Sequence, residues 1–345
     1  MAGYATVRIP ELKIVAIELD DEAGLRAWYD ANAAGLAAGR VDATNATFQE
    51  TLVAYQRPSA HQRNEVFAAL DGDGVVGTGN LALPLRENQR LALFHVVVEP
   101  EHRGAGVGSA LYEYVEERAR TEGRTSLLTD IYLPEGVEPA DWPGISFATR
   151  RGFSLRNTEL RRQSRLPADD ARLAALATKA AERASAYRLE SWTGACPEPY
   201  AEQYARFRGL LSVEAPSGGV EYEPEIWDVE RLREDEARTF GRGRTLHVTV
   251  AVAPDGSLAG HTALRVSQHD PSRAYQADTL VLPDHRGHRL GLALKVTNLR
   301  ILQERHPEVA RIETWNAVQN GPMVAINEEL GFRIVESVQD WQRDL

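Results

Sequence analysis

Alternating apolar and polar positions predict a β-hairpin at matching places in the two halves of the chain. In the first half, residues 66–70 and 75–83 alternate on either side of the tetrapeptide DGDG. In the second half, residues 246–253 and 257–266 flank the tripeptide PDG. Acidic-glycine turns between alternating runs are typical of hairpins. We therefore expect one hairpin in each half.

The elements around each hairpin are predicted in the same order. A helix precedes the hairpin; an apolar strand, a glycine-containing loop, an amphipathic helix, a second strand, a short helix and a last strand follow it. The first helices are predicted at 21–36 and 199–211, and the strands at 91–98, 126–132, 279–282 and 311–315. Hairpins combined with strand–helix–strand crossovers predict an α/β fold with a mixed sheet in each half.

Two sequence landmarks recur at nearly the same spacing, which indicates a duplicated domain. The segments HVVVEPEHRGAGVG and DTLVLPDHRGHRLG align with Arg103 on Arg286, an offset of 183 residues (286 − 103). A Gly-Phe pair recurs at Gly152 and Gly331, an offset of 179 (331 − 152). Internal repeats at a fixed spacing are the signature of repeated structural units.

The repeat places the domain boundaries near the middle of the chain. We expect an N-terminal domain at residues 1–166 and a C-terminal domain at residues 187–345. Residues 167–186, PADDARLAALATKAAERASA, predict an Asp-capped, alanine-rich helix that links the two.

Composition narrows the class of protein without naming a reaction. The 345 residues are 43% hydrophobic and 26% charged, as in globular domains, and no apolar run reaches the length of a membrane span. The net charge of −11 argues against a nucleic-acid partner. The single cysteine, Cys196, and the lack of a basic start with an apolar core at residues 1–15 favour a cytoplasmic protein. The spacing of His, Cys and carboxylate residues predicts no metal site.

The segment RGAGVG at residues 103–108 predicts an anion-binding loop. It lies between a predicted strand and a predicted helix, and its glycines allow a tight turn whose N–H groups approach a ligand closely. The N-terminus of the following helix favours a phosphate or pyrophosphate. A second glycine pattern, GDGVVG at 72–77, is followed by a strand instead of a helix, so we interpret it as a hairpin turn.

The pattern V-x-P-x-x-R-G-x-G-x-G, followed by a helix, a strand, a short helix and Gly-Phe, resembles the GNAT superfamily of acyl-CoA-dependent N-acyltransferases. Because both halves carry it, the chain resembles a tandem GNAT protein with a layout similar to that of mycothiol synthase. The resemblance implies an N-acetyltransferase that moves an acetyl group from acetyl-CoA, or another acyl-CoA, to a primary amine of a small molecule within a ternary complex. Two alternatives remain: a non-catalytic acyl-CoA-binding or sensing protein, and a protein N-acetyltransferase. A monomer or homodimer without a membrane partner is expected.

The resemblance also implies where coenzyme A binds. Its pyrophosphate would lie in the glycine loops, its acyl end along the strands before them, and its pantetheine amides near asparagines of the second half. The implied residues are Val96, Val97, Val98, Arg103, Gly104, Ala105, Gly106, Val107, Gly108 and Ser109 in the first half, and Leu280, Val281, Arg286, Gly287, His288, Arg289, Leu290, Gly291, Asn316 and Asn320 in the second. The second loop departs from the pattern at Arg289, which stands where the first has Gly106.

Acyl transfer to an amine requires a base. An alkyl amine has a pKa of about 10.4, so its deprotonation at neutral pH costs about 4–5 kcal/mol. Five residues before the motif proline stand His95 in the first half and Asp278 in the second, two titratable groups at equivalent strand positions. We expect one of them to be the general base.

The sequence lacks the usual proton donor for the leaving thiolate. Many GNAT enzymes have a tyrosine four residues before the glycine of Gly-Phe, but this chain has Ala148 and Asn327 there. Either Tyr132, Tyr275 or water donates the proton, or the thiolate leaves without a strong acid. The first half has the more complete glycine loop. Asn316 and Asn320, however, favour the second half as the catalytic one.

Overall fold

The computed structural model describes residues 12–345 except Pro58 and Ala215. Most of the N-terminal segment on which the expected lack of a leader rests, residues 1–11, lies outside the described residues.

The chain forms two compact units that divide it differently from the predicted domains. The first unit contains residues up to 157 together with residues 338–345, and the second contains residues 158–337. The C-terminal segment, which belongs to the second half of the repeat, is therefore part of the first unit.

The first unit is built from a sheet with helices against it. Its strands are β1 (Lys13–Ile17), β2 (Gln62–Asp71), β3 (Gly74–Pro84), β4 (Leu91–Val98) and β5 (Ser126–Pro134). Its helices are α1 (Glu22–Ala37), α2 (Phe48–Gln56), α3 (Val107–Thr121) and α4 (Pro143–Arg150).

The second unit repeats this order with an added helix at its start. The chain enters it within β6 (Ser154–Arg165) and leaves it within β12 (Arg333–Asp344). Its other strands are β7 (Arg188–Thr193), β8 (Arg244–Val252), β9 (Leu258–Ser267), β10 (Asp270–Val281) and β11 (Arg311–Ala317). Its helices are α5 (Asp170–Ala184), α6 (Glu198–Gly209), α7 (Leu211–Glu214), α8 (Val229–Gly241), α9 (Leu290–Arg305) and α10 (Gly321–Glu329).

Each unit has the predicted mixed sheet. In the first, β1 to β4 pair antiparallel in sequence order, β4 pairs parallel with β5, and the end of β12 lies beside β5. In the second, β7 to β10 pair antiparallel, β10 pairs parallel with β11, and β11 pairs antiparallel with β6. The predicted hairpins are confirmed as β2–β3 and β8–β9.

The predicted linker helix is α5, but it packs inside the second unit. Leu173, Leu176 and Ala180 lie on one face of α5 and are buried in a cluster that includes residues of α9. This apolar stripe at helical spacing explains why the helix folds onto the sheet layer instead of standing in solvent.

Candidate active site

A wedge opens between the two parallel strands of the first unit. Strands β4 and β5 pair at three successive positions, the last of which joins Leu93 to Leu128. Beyond that point the two strands line a cavity of about 590 Å³. The unpaired edge of β4 therefore presents backbone N–H and C=O groups to the cavity.

The glycine loop forms one end of this cavity. Gly104 and Gly106 have φ of 81° and 94°, a left-handed conformation that favours glycine, and Gly106 is the N-cap of α3. A Cβ atom at either position would have no heavy atom within 4 Å, so the space in front of the loop is open. The first turn of α3 therefore directs its free N–H groups toward an accessible cradle.

Three arginines next to the sequence landmarks line the same cavity as the glycine loop. Arg103, Arg150 and Arg151 all line the cavity. The guanidinium of Arg151 donates to Ser109 Oγ over 2.7 Å and lies 3.6 Å from the ring centroid of Phe147. The sequence analysis missed Arg150 and Arg151; their position just before the first Gly-Phe landmark was the available signal.

His95 and Asp130 face each other across the wedge. His95 Nε2 lies 2.5 Å from Asp130 Oδ1, and their side chains are 38% and 29% exposed. Burial disfavours the charged form of each group, but the carboxylate beside the imidazole raises the pKa of His95 above its usual value. The imidazole in turn lowers the pKa of Asp130 despite its burial. The arrangement is an imidazole held by a neighbouring carboxylate.

Asp130 has a counterpart in the second half that the sequence repeat did not reveal. By the repeat offset of 183, Leu91 corresponds to Ala274, and these two residues pair with Ser126 and Ile312, so Asp130 occupies the position of Asn316. The pairing of His95 with Asp130 is visible only once the strands are adjacent, because 35 residues separate the two in the sequence.

Asp278 of the second unit has a different environment from His95. Its Oδ2 lies 3.7 Å from a guanidinium nitrogen of Arg208, and Arg208 also approaches Asp235 at 3.6 Å. Burial opposes ionisation of Asp278, but Arg208, with lesser contributions from His261 and Arg265, lowers its pKa. A carboxylate with a lowered pKa is a weak proton acceptor at neutral pH.

The second glycine loop keeps the backbone shape of the first. Gly287 has φ of 82°, and Arg289, the N-cap of α9, has φ of 55°. The cations at this loop are paired within the chain: Arg286 lies 2.8 Å from Glu214, and Arg289 lies 2.5 Å from Glu182. Much of their charge is therefore neutralised before any anion arrives.

The end of α10 differs in charge from the end of α4. By the Gly-Phe alignment, Glu329 and Leu330 stand where the first half has Arg150 and Arg151. Glu329 lies 2.7 Å from Lys179. The second loop thus has an acidic neighbour where the first has two cations.

The asparagines of the second half bond to other parts of the chain. Asn316 Oδ1 accepts a hydrogen bond from Asn327 Nδ2, and Asn327 Oδ1 accepts one from Lys295 Nζ over 2.6 Å. Asn320 caps α10 by accepting from a backbone N–H of its first turn over 3.4 Å. Lys295 itself is buried, and desolvation lowers its pKa to about 7.

The other residues suggested by the resemblance fall into two groups. Those that line the cavity of the first unit are Val96, Val97, Val98, Gly108 and Ser109. The others contact other parts of the chain: apolar clusters contain Val107, Leu280, Leu290 and Val281. His288 lies beside the Tyr187 ring, and Gly291 lies close to Ile326. Ala105 is half-buried within the first loop. Tyr132 and Ala148 line the cavity, whereas Tyr275 stacks on Trp315 in the second unit.

Comparison with known proteins identifies the family. The sequence model of the acetyltransferase (GNAT) family matches residues 25–153 and 211–332, which together are most of the chain. The chain belongs to the GNAT acetyltransferase family. It is a tandem GNAT protein, and one solved tandem GNAT protein from the clavulanic acid biosynthesis pathway is 27% identical with a TM-score of 0.77, covering 97% of this chain and 98% of that one.

Two further proteins share the fold or a short segment with this chain. A GNAT N-acetyltransferase from Sphaerobacter thermophilus is 14% identical with a TM-score of 0.63, covering 96% of this chain and 95% of that one. N-acetyltransferase 8B of Rattus norvegicus is 38% identical over 68 residues, 19% of this chain. That match spans only 30% of the curated relative.

Neither a membrane-spanning helix nor a metal-binding cluster occurs in the part of the chain that the structure describes. Within residues 12–57, 59–214 and 216–345, no helix has the length and apolar character to cross a membrane. In the same part of the chain, no group of three or more His, Cys, Asp or Glu side chains is arranged to hold a metal ion.

Proposed function

We propose that this GNAT protein transfers an acetyl group from acetyl-CoA to a primary amine of a small molecule, in a ternary complex at the cavity of the first unit. One observation carries the proposal. The same 590 Å³ cavity brings together an open glycine cradle, four arginines, Arg40 among them, and the His95–Asp130 pair. An anion site and a proton acceptor are the two features that acyl transfer from a coenzyme A thioester to an amine requires.

The residues of this cavity suit coenzyme A. The backbone of Gly104 to Gly106 and the first turn of α3 would hold the pyrophosphate, with Arg103, Arg150 and Arg151 supplying positive charge. The bound coenzyme supplies an acyl thioester. The unpaired edge of β4 offers backbone N–H groups to the thioester carbonyl oxygen, which gains negative charge during transfer.

His95 would accept the proton of the amine. A neutral imidazole accepts protons, and a pKa above the usual value makes it a stronger acceptor once it is deprotonated. Asp130 orients the ring and stabilises the imidazolium that forms. The imidazolium, or the nearby Tyr132, would then protonate the leaving thiolate.

A small acceptor fits the other side of the cavity. The loop after α1 and the segment before α4 approach closely, because a Cβ at Gly39 would lie 3.3 Å from the Trp142 ring. Ala38 and Arg40, on either side of Gly39, and Trp142 line the cavity. This arrangement supports a small-molecule substrate over a lysine on a protein surface.

We place the proposed reaction in the first unit, although Asn316 and Asn320 favoured the second half in the sequence. Asp278 is paired with Arg208, Arg286 with Glu214 and Arg289 with Glu182. We therefore propose that the second unit does not turn over substrate.

Calorimetric titration with acetyl-CoA tests whether the first unit holds the binding site. A matched pair of charge-reversal variants distinguishes the two units. Arg103→Glu changes the first loop and Arg286→Glu the equivalent position of the second. Both side chains lie at the surface, so neither change disturbs the core. We expect Arg103→Glu to weaken binding at least tenfold and Arg286→Glu to leave it unchanged. Loss of binding only in Arg286→Glu would move the site to the second unit, and no binding to the wild type would refute the acetyltransferase proposal.

A non-catalytic acyl-CoA sensor is the second candidate function. It is favoured by one observation: Ala148 and Asn327 replace the usual tyrosine in both halves. Thiol release from acetyl-CoA with a panel of small amines separates the two functions. A sensor binds acetyl-CoA but releases no thiol with any amine, whereas the proposed enzyme releases thiol with at least one.

A further inference from the structure

The C-terminal strand brings a second carboxylate to the proposed site. Asp340 lies on the part of β12 that belongs to the first unit, and that part is the neighbour of β5, the strand of Asp130. The backbone N–H of Leu345 donates to the Thr125 carbonyl over 2.9 Å, which fixes the strand there. Asn157 Nδ2 donates to Asp340 Oδ2 over 3.0 Å and holds the carboxylate in place.

Asp340 is close enough to Asp130 for their charges to interact. Burial is the main reason that the pKa of Asp340 is raised, and the Asp130 charge raises it further, against the hydrogen bond from Asn157. The other charged groups acting on Asp130 are His95 on β4 and Arg40 in the loop after α1. His95 and Arg40 therefore act on Asp130, and the Asp130 charge in turn acts on Asp340.

We propose that Asp340 is a positioning residue for the His95–Asp130 pair, acting through Asp130 to hold the imidazole in place and favour its protonated form. The inference rests on the proposed function of the cavity. Asp340 belongs to the second half of the sequence repeat, so the proposed site draws on both ends of the chain. The loop, the base and its partner come from the first half, and the additional carboxylate comes from the last strand.

The physical effect is electrostatic. An ionised Asp340 adds negative charge near the imidazolium that forms when His95 accepts a proton. Two adjacent carboxylates also repel each other, and a proton on His95 relieves that repulsion. Removing the charge of Asp340 should therefore lower the pKa of His95, by about half a unit for a charge at this kind of separation.

Asp340→Asn provides a matched test because an asparagine still accepts the hydrogen bond from Asn157. Asp344→Asn is the control: Asp344 is the last residue of the same strand and is exposed. The pKa of His95 is measured by NMR of its imidazole in the full-length protein, with His95→Gln to assign the signal. This measurement needs neither substrate nor turnover. The pH profile of kcat/KM for an accepted amine is the second readout.

We expect Asp340→Asn to lower the His95 pKa and move the rising limb of the pH profile to lower pH, while Asp344→Asn changes neither. An unchanged His95 pKa in Asp340→Asn, or an equal shift in both variants, would overturn the inference. The proposed function fails separately, through full activity in His95→Gln or through lack of acetyl-CoA binding.

Discussion

His95 and Asp130 form a pair in which each side chain favours the charged form of the other. Burial penalises the imidazolium, and the carboxylate at 2.5 Å compensates for that penalty. The equivalent positions of the second half hold Asp278, which forms an ion pair with Arg208, and Asn316, which is hydrogen-bonded to Asn327. Equivalent backbone positions thus hold an imidazole and a carboxylate that pair with each other in one unit, and two side chains with other partners in the second.

The first residue-scale prediction concerns the pH dependence of activity. His95 accepts a proton only in its neutral form, so kcat/KM should rise as pH increases through its raised pKa. His95→Gln should reduce kcat/KM about 100-fold and remove this limb of the profile. Thiol release measured between pH 5.5 and 9 checks both effects. His102→Gln, which changes a histidine paired with Glu99 in the loop, should keep the wild-type profile; unaltered activity in His95→Gln would exclude it as the base.

The sequence predicted some residues of this site and not others, for physical reasons. His95 and the glycine loop follow from local spacing to the motif proline. The partner of His95 does not, because Asp130 reaches it only when two parallel strands that are distant in sequence become adjacent. The pairing of Arg289 with Glu182 was equally invisible, since a sequence shows a charge but not its partner.

At the scale of elements, helix α9 differs from its counterpart α3. Helix α3 is amphipathic, with Leu111 and Val115 buried, whereas α9 is buried on nearly all sides. A helix that is buried all round normally carries only apolar residues. Helix α9 nevertheless contains Lys295, which is 3% exposed and stands where α3 has Tyr112.

Because Lys295 is buried, we predict that the free energy of unfolding rises with pH. Its pKa is about 7 in the folded chain, against 10.5 for an ordinary lysine, so the unfolded chain binds more protons between these values. The free energy of unfolding should therefore increase over that range, by up to about 1.4 kcal/mol per pH unit from this residue. Lys295→Met should remove the contribution. Urea unfolding at several pH values between 7 and 10 measures the slope.

The slope of the unfolding free energy against pH separates the effect of the Lys295 charge from the effect of its packing. Lys295→Met leaves Asn327 Oδ1 without its donor, a cost that does not vary with pH. Lys179→Met, at a partly exposed lysine of α5, should keep the wild-type slope. Equal slopes in the wild type and Lys295→Met would show that the buried amine does not titrate near neutrality.

At the scale of the whole chain, the compact units do not coincide with the halves of the repeat. The strand after each Gly-Phe landmark leads into the other unit, as β6 does after residue 157 and β12 after residue 337. Local patterns predicted these strands but not their partners, because either sheet edge suits an alternating strand. Side-chain pairing distinguishes the edges: Arg161 of β6 is fully buried against Glu313 of β11, 3.2 Å away.

Trp341 provides a test of this arrangement in the intact chain. It lies four residues from the C-terminus, is 8% exposed and packs in the apolar cluster of the first unit. Trp341→Ala should cost about 3–5 kcal/mol, as truncation of a buried aromatic side chain does.

Because the cost falls on the first unit, hydrogen exchange should accelerate in peptides of β4, β5 and α3 while those of β8 and β9 keep their protection. Val250→Ala, in the core of the second unit, should produce the opposite pattern. Faster exchange confined to β8 and β9 in Trp341→Ala would mean that the last strand belongs with the second half, as the repeat alone suggests.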